Sequence, residues 1–198
     1  MELTGFTADK VGPMSATAPP PREVLPWNRF GDATRELAQM VADSGWLPDF
    51  VVAVARGGLV PAGSVAYALG VKAMGTMNVE FYTDVEQTLA EPQVLPPLLD
   101  TSVLAGAKVL VVDDVADSGR TLEVVMRLLR TGSSAPGGPA SEHLPAQARS
   151  AVLYTKPRSV IEPDYTWRRT DRWISFPWSA LPPVTAGPDA ANTHNTEA

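Results

Sequence analysis

Twice along this chain a short apolar run breaks off into a polar or glycine-rich loop and a helical pattern follows. Phe50 to Ala55 ends in Arg56-Gly57-Gly58, after which Pro61 can start a helix and Gly70 marks its end. Lys108 to Val112 is a β-branched run that enters Asp113 and Asp114. Beyond that acidic loop, Leu122, Val125, Met126 and Leu129 share one helical face and Gly132 follows. The pattern extends on both sides. Phe30, Thr34, Leu37, Ala38, Val41 and Ala42 recur at helical spacing up to Gly45, and Ala73 to Phe81 and Ala151 to Thr155 have strand character. Tyr165 to Trp178 suits short strands or extended chain. Strands alternating with helices predict an α/β fold, a mostly parallel sheet flanked by helices.

The 198 residues, 44% of them hydrophobic, suffice for one well-buried core. Residues 1–25, with the small-residue and proline segment Ala16 to Pro21, and residues 181–198, rich in Ala, Pro, Thr and Asn, are expected to be disordered tails around a domain spanning 26–180. Two connections in that domain are long. Residues 83–107 contain Pro92, Pro96 and Pro97 and show no clear structure, which suggests a mobile lid. Residues 131–149, with Gly137-Gly138, form an expected insertion on the side away from the strand C-termini.

No apolar run reaches the roughly 20 residues that cross a bilayer, and the N-terminus lacks a basic stretch followed by an apolar core, so a soluble, cytoplasmic protein with no membrane partner is expected. The absence of cysteine excludes thiol catalysis and cysteine-ligated zinc. The only histidines, His143 and His194, lie in a Pro/Gly/Ser-rich stretch and near the C-terminal end, which argues against a histidine-based site. A formal net charge of -6 gives no general footing for nucleic acid, so an anionic ligand must be held by local cradles.

In parallel sheets ligands bind where strands end and helices begin. Ser118, Gly119, Arg120 and Thr121 offer consecutive backbone N–H groups, two hydroxyls and a guanidinium at a helix N-terminus, a setting that favours phosphate. Asp113, Asp114 and Asp117 just before it would repel a bare phosphate, so the ligand should also carry sugar hydroxyls or a divalent cation. A ribose 5-phosphate satisfies both halves. The competing account is a helix capped by Asp117 or Ser118 after an ordinary buried strand. Arg56-Gly57-Gly58 repeats the anion logic at a second strand end, or is a tight strand-to-helix turn. Two phosphate loops on one sheet suit a ligand phosphorylated at both ends, such as 5-phosphoribosyl 1-pyrophosphate (PRPP).

Val109 to Thr121 resembles the PRPP-binding signature of the type I phosphoribosyltransferases, and Val54 to Pro61 resembles their pyrophosphate loop. Lys156-Pro157 followed by Trp173-Ile174-Ser175-Phe176-Pro177-Trp178 is similar to the xanthine-guanine and hypoxanthine members. The resemblance covers roughly residues 27–179. It implies the type I fold with a small C-terminal hood, Mg²⁺ dependence, transfer of a phosphoribosyl group from PRPP to a nucleobase with release of pyrophosphate, purine salvage, and a homo-oligomer, dimer or tetramer. Asp113 and Asp114 would serve the ribose hydroxyls and Mg²⁺, Asp117 would be the general base, Ser118, Gly119, Arg120 and Thr121 would hold the 5-phosphate, and Ala116 would also belong to the PRPP site. Arg56 and Gly57 would contact pyrophosphate, with Ala55-Arg56 a candidate non-proline cis peptide.

On the base side, the resemblance implies that Lys156 donates to a purine 6-oxo group, Trp173 stacks on the ring and the Ile174 backbone meets the base edge; Tyr82, at the start of the expected lid, either closes over the reaction centre or ends a strand. Without it, Lys156 is a solvated strand-end residue and Trp173, Phe176 and Trp178 form a hydrophobic cluster. One position departs: Ser179 stands where the xanthine-guanine members have an acid after Pro-Trp. That departure leaves open a PRPP- or nucleotide-sensing regulator on the same fold, and a transferase for a non-purine acceptor is the third possibility.

Overall fold

The computed structural model describes residues 21–83, 87–95, 99–133 and 143–185. Side chains of residues 80–98 lie outside that description. The elements run β1 (Arg22–Val24), α1 (Trp27–Asp43), β2 (Phe50–Ala55), α2 (Leu59–Leu69), β3 (Met74–Thr83), β4 (Gln87–Leu95), β5 (Lys108–Ala116), α3 (Arg120–Thr131), β6 (Gln147–Thr155), β7 (Tyr165–Arg169) and β8 (Trp173–Ser175).

Six strands form one sheet in the order β4-β3-β2-β5-β6-β7. All pairs are parallel except β3 with β4. The central strands alternate because both of their faces are covered. In β2, Val51 and Ala53 pack on one side and Val52 and Val54 on the other; in β5, Leu110 and Val112 oppose Val109 and Val111 in the same way. The first side receives α1 through Phe30, Ala33, Leu37, Ala38 and Val41, and α2 through Ala62, Val65 and Ala66. The second receives Leu122, Val125, Met126 and Leu129 of α3. Gly70 and Gly132 end α2 and α3 at φ 71° and 76°, a left-handed conformation that residues with a Cβ adopt at a cost.

Two expectations are corrected. Residues 22–25, assigned to the N-terminal tail, are ordered: β1 pairs in parallel with β8, Arg22 opposite Trp173, and Leu25 is fully buried with its N–H donating to the Ser175 carbonyl at 3.0 Å. The stretch 83–107 is not structureless, because β4 turns back on β3 as an antiparallel edge strand and Thr101–Leu104 forms a 3-10 turn that buries Leu104. Residues 84–86 and 96–98 of the expected lid, 134–142 of the expected insertion, and 1–20 and 186–198 of the expected tails lie outside the described residues.

Candidate functional site

The parallel strands β2, β5 and β6 all end at one edge of the sheet, and the chemistry-bearing residues gather there. β5 runs on through the acidic pair to Ala116, and Gly119, at φ 75°, turns the chain into α3. That conformation and crowding both require glycine, since a Cβ at 119 would overlap the Ser159 hydroxyl and stand 3.0 Å from Ile161 Cγ2. The first-turn amides of α3 have no partner within their own helix, which makes Arg120 and Thr121 natural anion donors.

The segment after β6 braces this turn. The Lys156 amide donates to the Ala116 carbonyl at 3.0 Å, and the Val160 amide to the Ser118 carbonyl at 2.9 Å.

The glycine loop closes on the acidic one. A Cβ on Gly57 would overlap the Asp114 carboxyl, and one on Gly58 would stand 2.5 Å from the Val112 carbonyl and 2.6 Å from that of Val54. A side chain at Gly58 would require backbone movement, and one at Gly57 would require the Asp114 carboxyl to swing away. The Ala55–Arg56 peptide is cis, and the Arg56 side chain is exposed beside this contact.

The carboxylates differ sharply in environment. Asp113 is 8% exposed and accepts from the Asp114 amide at 2.9 Å. Burial, reinforced by the neighbouring Asp114 carboxylate, pushes the Asp113 carboxyl well above the usual carboxylate range. Burial likewise pushes Asp114 up to about 6. Two adjacent desolvated carboxylates suit a hard divalent cation when a ligand supplies the remaining oxygens. Among the described residues no group of three or more His, Asp or Glu side chains could hold a metal ion alone.

Asp117 lies between two cations. Its Oδ2 is 3.4 Å from Lys156 Nζ, and its Oδ1 accepts from Arg158 Nε at 2.7 Å. Lys156 is 7% exposed, with its ammonium 5.6 Å from the centre of the Trp173 ring. Trp173 itself is 62% exposed, so its face is available. Asp117, Lys156, Trp173 and Ile174 line one open cavity of about 390 Å³.

The hydrophobic-cluster account of the C-terminal aromatics holds for two of the three. Phe176 and Trp178 stack with ring centres 4.8 Å apart, and Phe30, Trp27 and Tyr154 meet them edge-on. Their packing anchors the end of β8 and leaves Trp173 outside the cluster.

The structure thus brings Asp117, Lys156, Trp173 and Ile174 into one cavity and Gly57 against Asp114. The Tyr82 side chain lies outside the described residues. Ser179 also lines the cavity. Sequence reasoning missed Arg158 and Arg22. Arg158 lies two residues after Lys156 in the same strand-end turn, a signal that could have been noted; Arg22 reaches the cavity only through the β1–β8 pairing.

A profile of the phosphoribosyl transferase domain matches residues 22–182. The fold is similar to that of a purine phosphoribosyltransferase from Pyrococcus horikoshii Ot3, at 31% identity and TM-score 0.65, over 84% of this chain and 99% of that one. It also resembles a hypothetical protein from Neisseria gonorrhoeae with bound ppGpp (24% identity, TM-score 0.64, 81% of this chain and 91% of that one). A xanthine-guanine-hypoxanthine phosphoribosyltransferase from Helicobacter pylori is similar as well (23% identity, TM-score 0.62, 80% and 94%). The last two likenesses are of fold.

Proposed function

The chain belongs to the phosphoribosyltransferase family, and from that premise we propose that it transfers the 5-phosphoribosyl group of PRPP to a 6-oxopurine in purine salvage. The observation that carries the acceptor assignment is the shared cavity in which Lys156, Asp117 and the exposed face of Trp173 meet at the ends of β5 and β6. An ammonium donor, a carboxylate and a flat aromatic face are what an oxo-bearing aromatic base with a transferable ring proton requires.

In this mechanism the amides and hydroxyls of Ser118 to Thr121 hold the 5-phosphate, and Asp113 and Asp114 receive the ribose hydroxyls. Asp113 and Asp114 would hold Mg²⁺, which when bound would supply positive charge to the departing pyrophosphate. Arg56 and the Gly57 amide bind the same group as the bond from C1 to the pyrophosphate oxygen breaks. The base nitrogen then forms its bond to C1 and its proton passes to Asp117. Arg158 and Lys156 hold the Asp117 carboxylate in place, and Lys156 would also donate to the 6-oxo group.

The test is incubation of the protein with PRPP, Mg²⁺ and a panel of free bases, following pyrophosphate release and nucleotide formation by chromatography. Nucleotide from a 6-oxopurine is the expected result. PRPP binding with no product from any base would favour the sensing alternative, which Ser179 at the cavity wall supports. Product from a non-purine acceptor alone would overturn the purine assignment.

A further inference from the structure

We propose that Arg22 is a second acceptor-binding cation, and that it selects a purine with two ring oxo groups that ionises near neutral pH, as xanthine does, over one with a single oxo group. This deepens the transferase reading and rests on it. The first observation is placement. β1 pairs in register with β8, setting Arg22 opposite Trp173, and the Arg22 side chain lines the same cavity as Lys156 and Asp117. The pairing uses backbone groups, so the guanidinium is free to serve a ligand.

The second observation is charge. Asp117 is already engaged by Lys156 and by Arg158, whereas no ion pair or hydrogen bond of the Arg22 side chain occurs among the described residues. The cavity is lined by two cations, Arg22 and Lys156, and one carboxylate, Asp117, a local positive excess on a chain whose net charge is -6. An acceptor carrying negative charge is favoured there over a neutral one. Lys156 enters from the end of β6 and Arg22 from β1, so in this proposal each cation serves its own oxo group. A second oxo group, sharing the charge of the ionised ring, supplies the partner that Arg22 lacks.

Arg22 is exposed and its strand is held by backbone pairing, so Arg22→Gln should fold normally, which an unchanged melting temperature would verify. The measurement is kcat/KM for xanthine and hypoxanthine at neutral pH in the wild type, Arg22→Gln and Arg22→Lys. We expect the xanthine-to-hypoxanthine ratio to fall about tenfold or more in Arg22→Gln, the scale of one charged hydrogen bond. Arg22→Lys should recover most of it, and the wild-type preference should grow with pH as xanthine ionises. A ratio unchanged within about twofold, or equal losses on both bases, would overturn the proposal. Calorimetric binding of xanthosine and inosine 5′-monophosphates to the same variants separates the two claims. If the wild type turns over neither base, the transferase reading falls, while the two nucleotide affinities still decide Arg22. Equal weakening of both nucleotides in Arg22→Gln, or none, overturns it.

Discussion

The loops that follow β2 and β5 leave neighbouring parallel strands at the same edge of the sheet, yet they work by opposite means. The β2–α2 loop depends on having no side chains: Gly57 lies against the Asp114 carboxyl and Gly58 is wedged against the backbones of both strands. The β5–α3 loop depends on its side chains. It buries Asp113, half-buries Asp114 and ties Asp117 to two cations from the turn after β6. One loop shapes the space at the edge of the sheet, and the other lines it with three carboxyl groups in different environments. Each loop also needs the other, because the room left by Gly57 is what the Asp114 carboxyl occupies.

Breaking this contrast should give effects of graded size. The largest is expected for Asp117→Asn, which keeps the shape of the acidic loop and removes its base. Turnover should fall about 10²- to 10⁴-fold with PRPP affinity largely retained, as measured by steady-state kinetics and calorimetry. A loss under tenfold would take Asp117 out of the proton transfer.

Next comes Gly58→Ala. The added methyl meets two backbone carbonyls that cannot yield without moving the strands, so a stability loss of about 1 to 3 kcal/mol is expected, seen as a lower Tm. Gly63→Ala, inside α2 with nothing near its Cβ, should be neutral or stabilising by up to about 1 kcal/mol. Equal behaviour of the two variants would mean that the glycine loop is not close-packed.

The charged loop should betray itself in the pH dependence of stability. Asp114 has its folded pKa raised to about 6, and Asp113 is raised in the same direction. The folded state therefore binds more protons than the unfolded chain, whose aspartates ionise near about 4. The stability that comes from this uptake is fully present below that lower value and is lost as pH rises through about 6. In metal-free, ligand-free protein, urea denaturation at several pH values should show the decline, and Asp114→Asn should flatten it by about 3 kcal/mol. A curve that Asp114→Asn leaves unchanged would show the carboxyl to be well solvated. The smallest effect belongs to Arg158→Ala. Its side chain is 67% exposed, so its pair with Asp117 should contribute under about 1 kcal/mol to stability, and a larger drop in Tm would give Arg158 a structural role.

How much of this was visible in the residues follows from the range of the interactions involved. β2, β5, α2 and α3 are written locally, in apolar runs, a helical face and terminal glycines, and so are the loops between them. β1 is three residues long and exists only because it pairs with β8, so no local pattern announces it. β4 was hidden by Pro92, a residue that argues against a strand. An edge strand tolerates proline, and the β3–β4 register shifts between Glu80 and Tyr82, so that residues 89–92 have no regular partners. Lys156 and Trp173 could be singled out from the sequence, but their meeting with Asp117 required the sheet to place the end of β6 beside that of β5. Arg22 was lost with its strand.

The β1–β8 pairing also orders events during synthesis. Its two strands lie about 150 residues apart, a span whose closure entropy must be met by the pairing and by the aromatic packing that follows it. A chain emerging from the ribosome can build β2, α2, β5 and α3, and with them the glycine loop and the acidic loop, before Trp173 has been made. The cavity wall that carries Trp173 is assembled last, from the start of the domain and its end, so in an unfinished chain the loops at the strand ends precede the cavity that β8 completes.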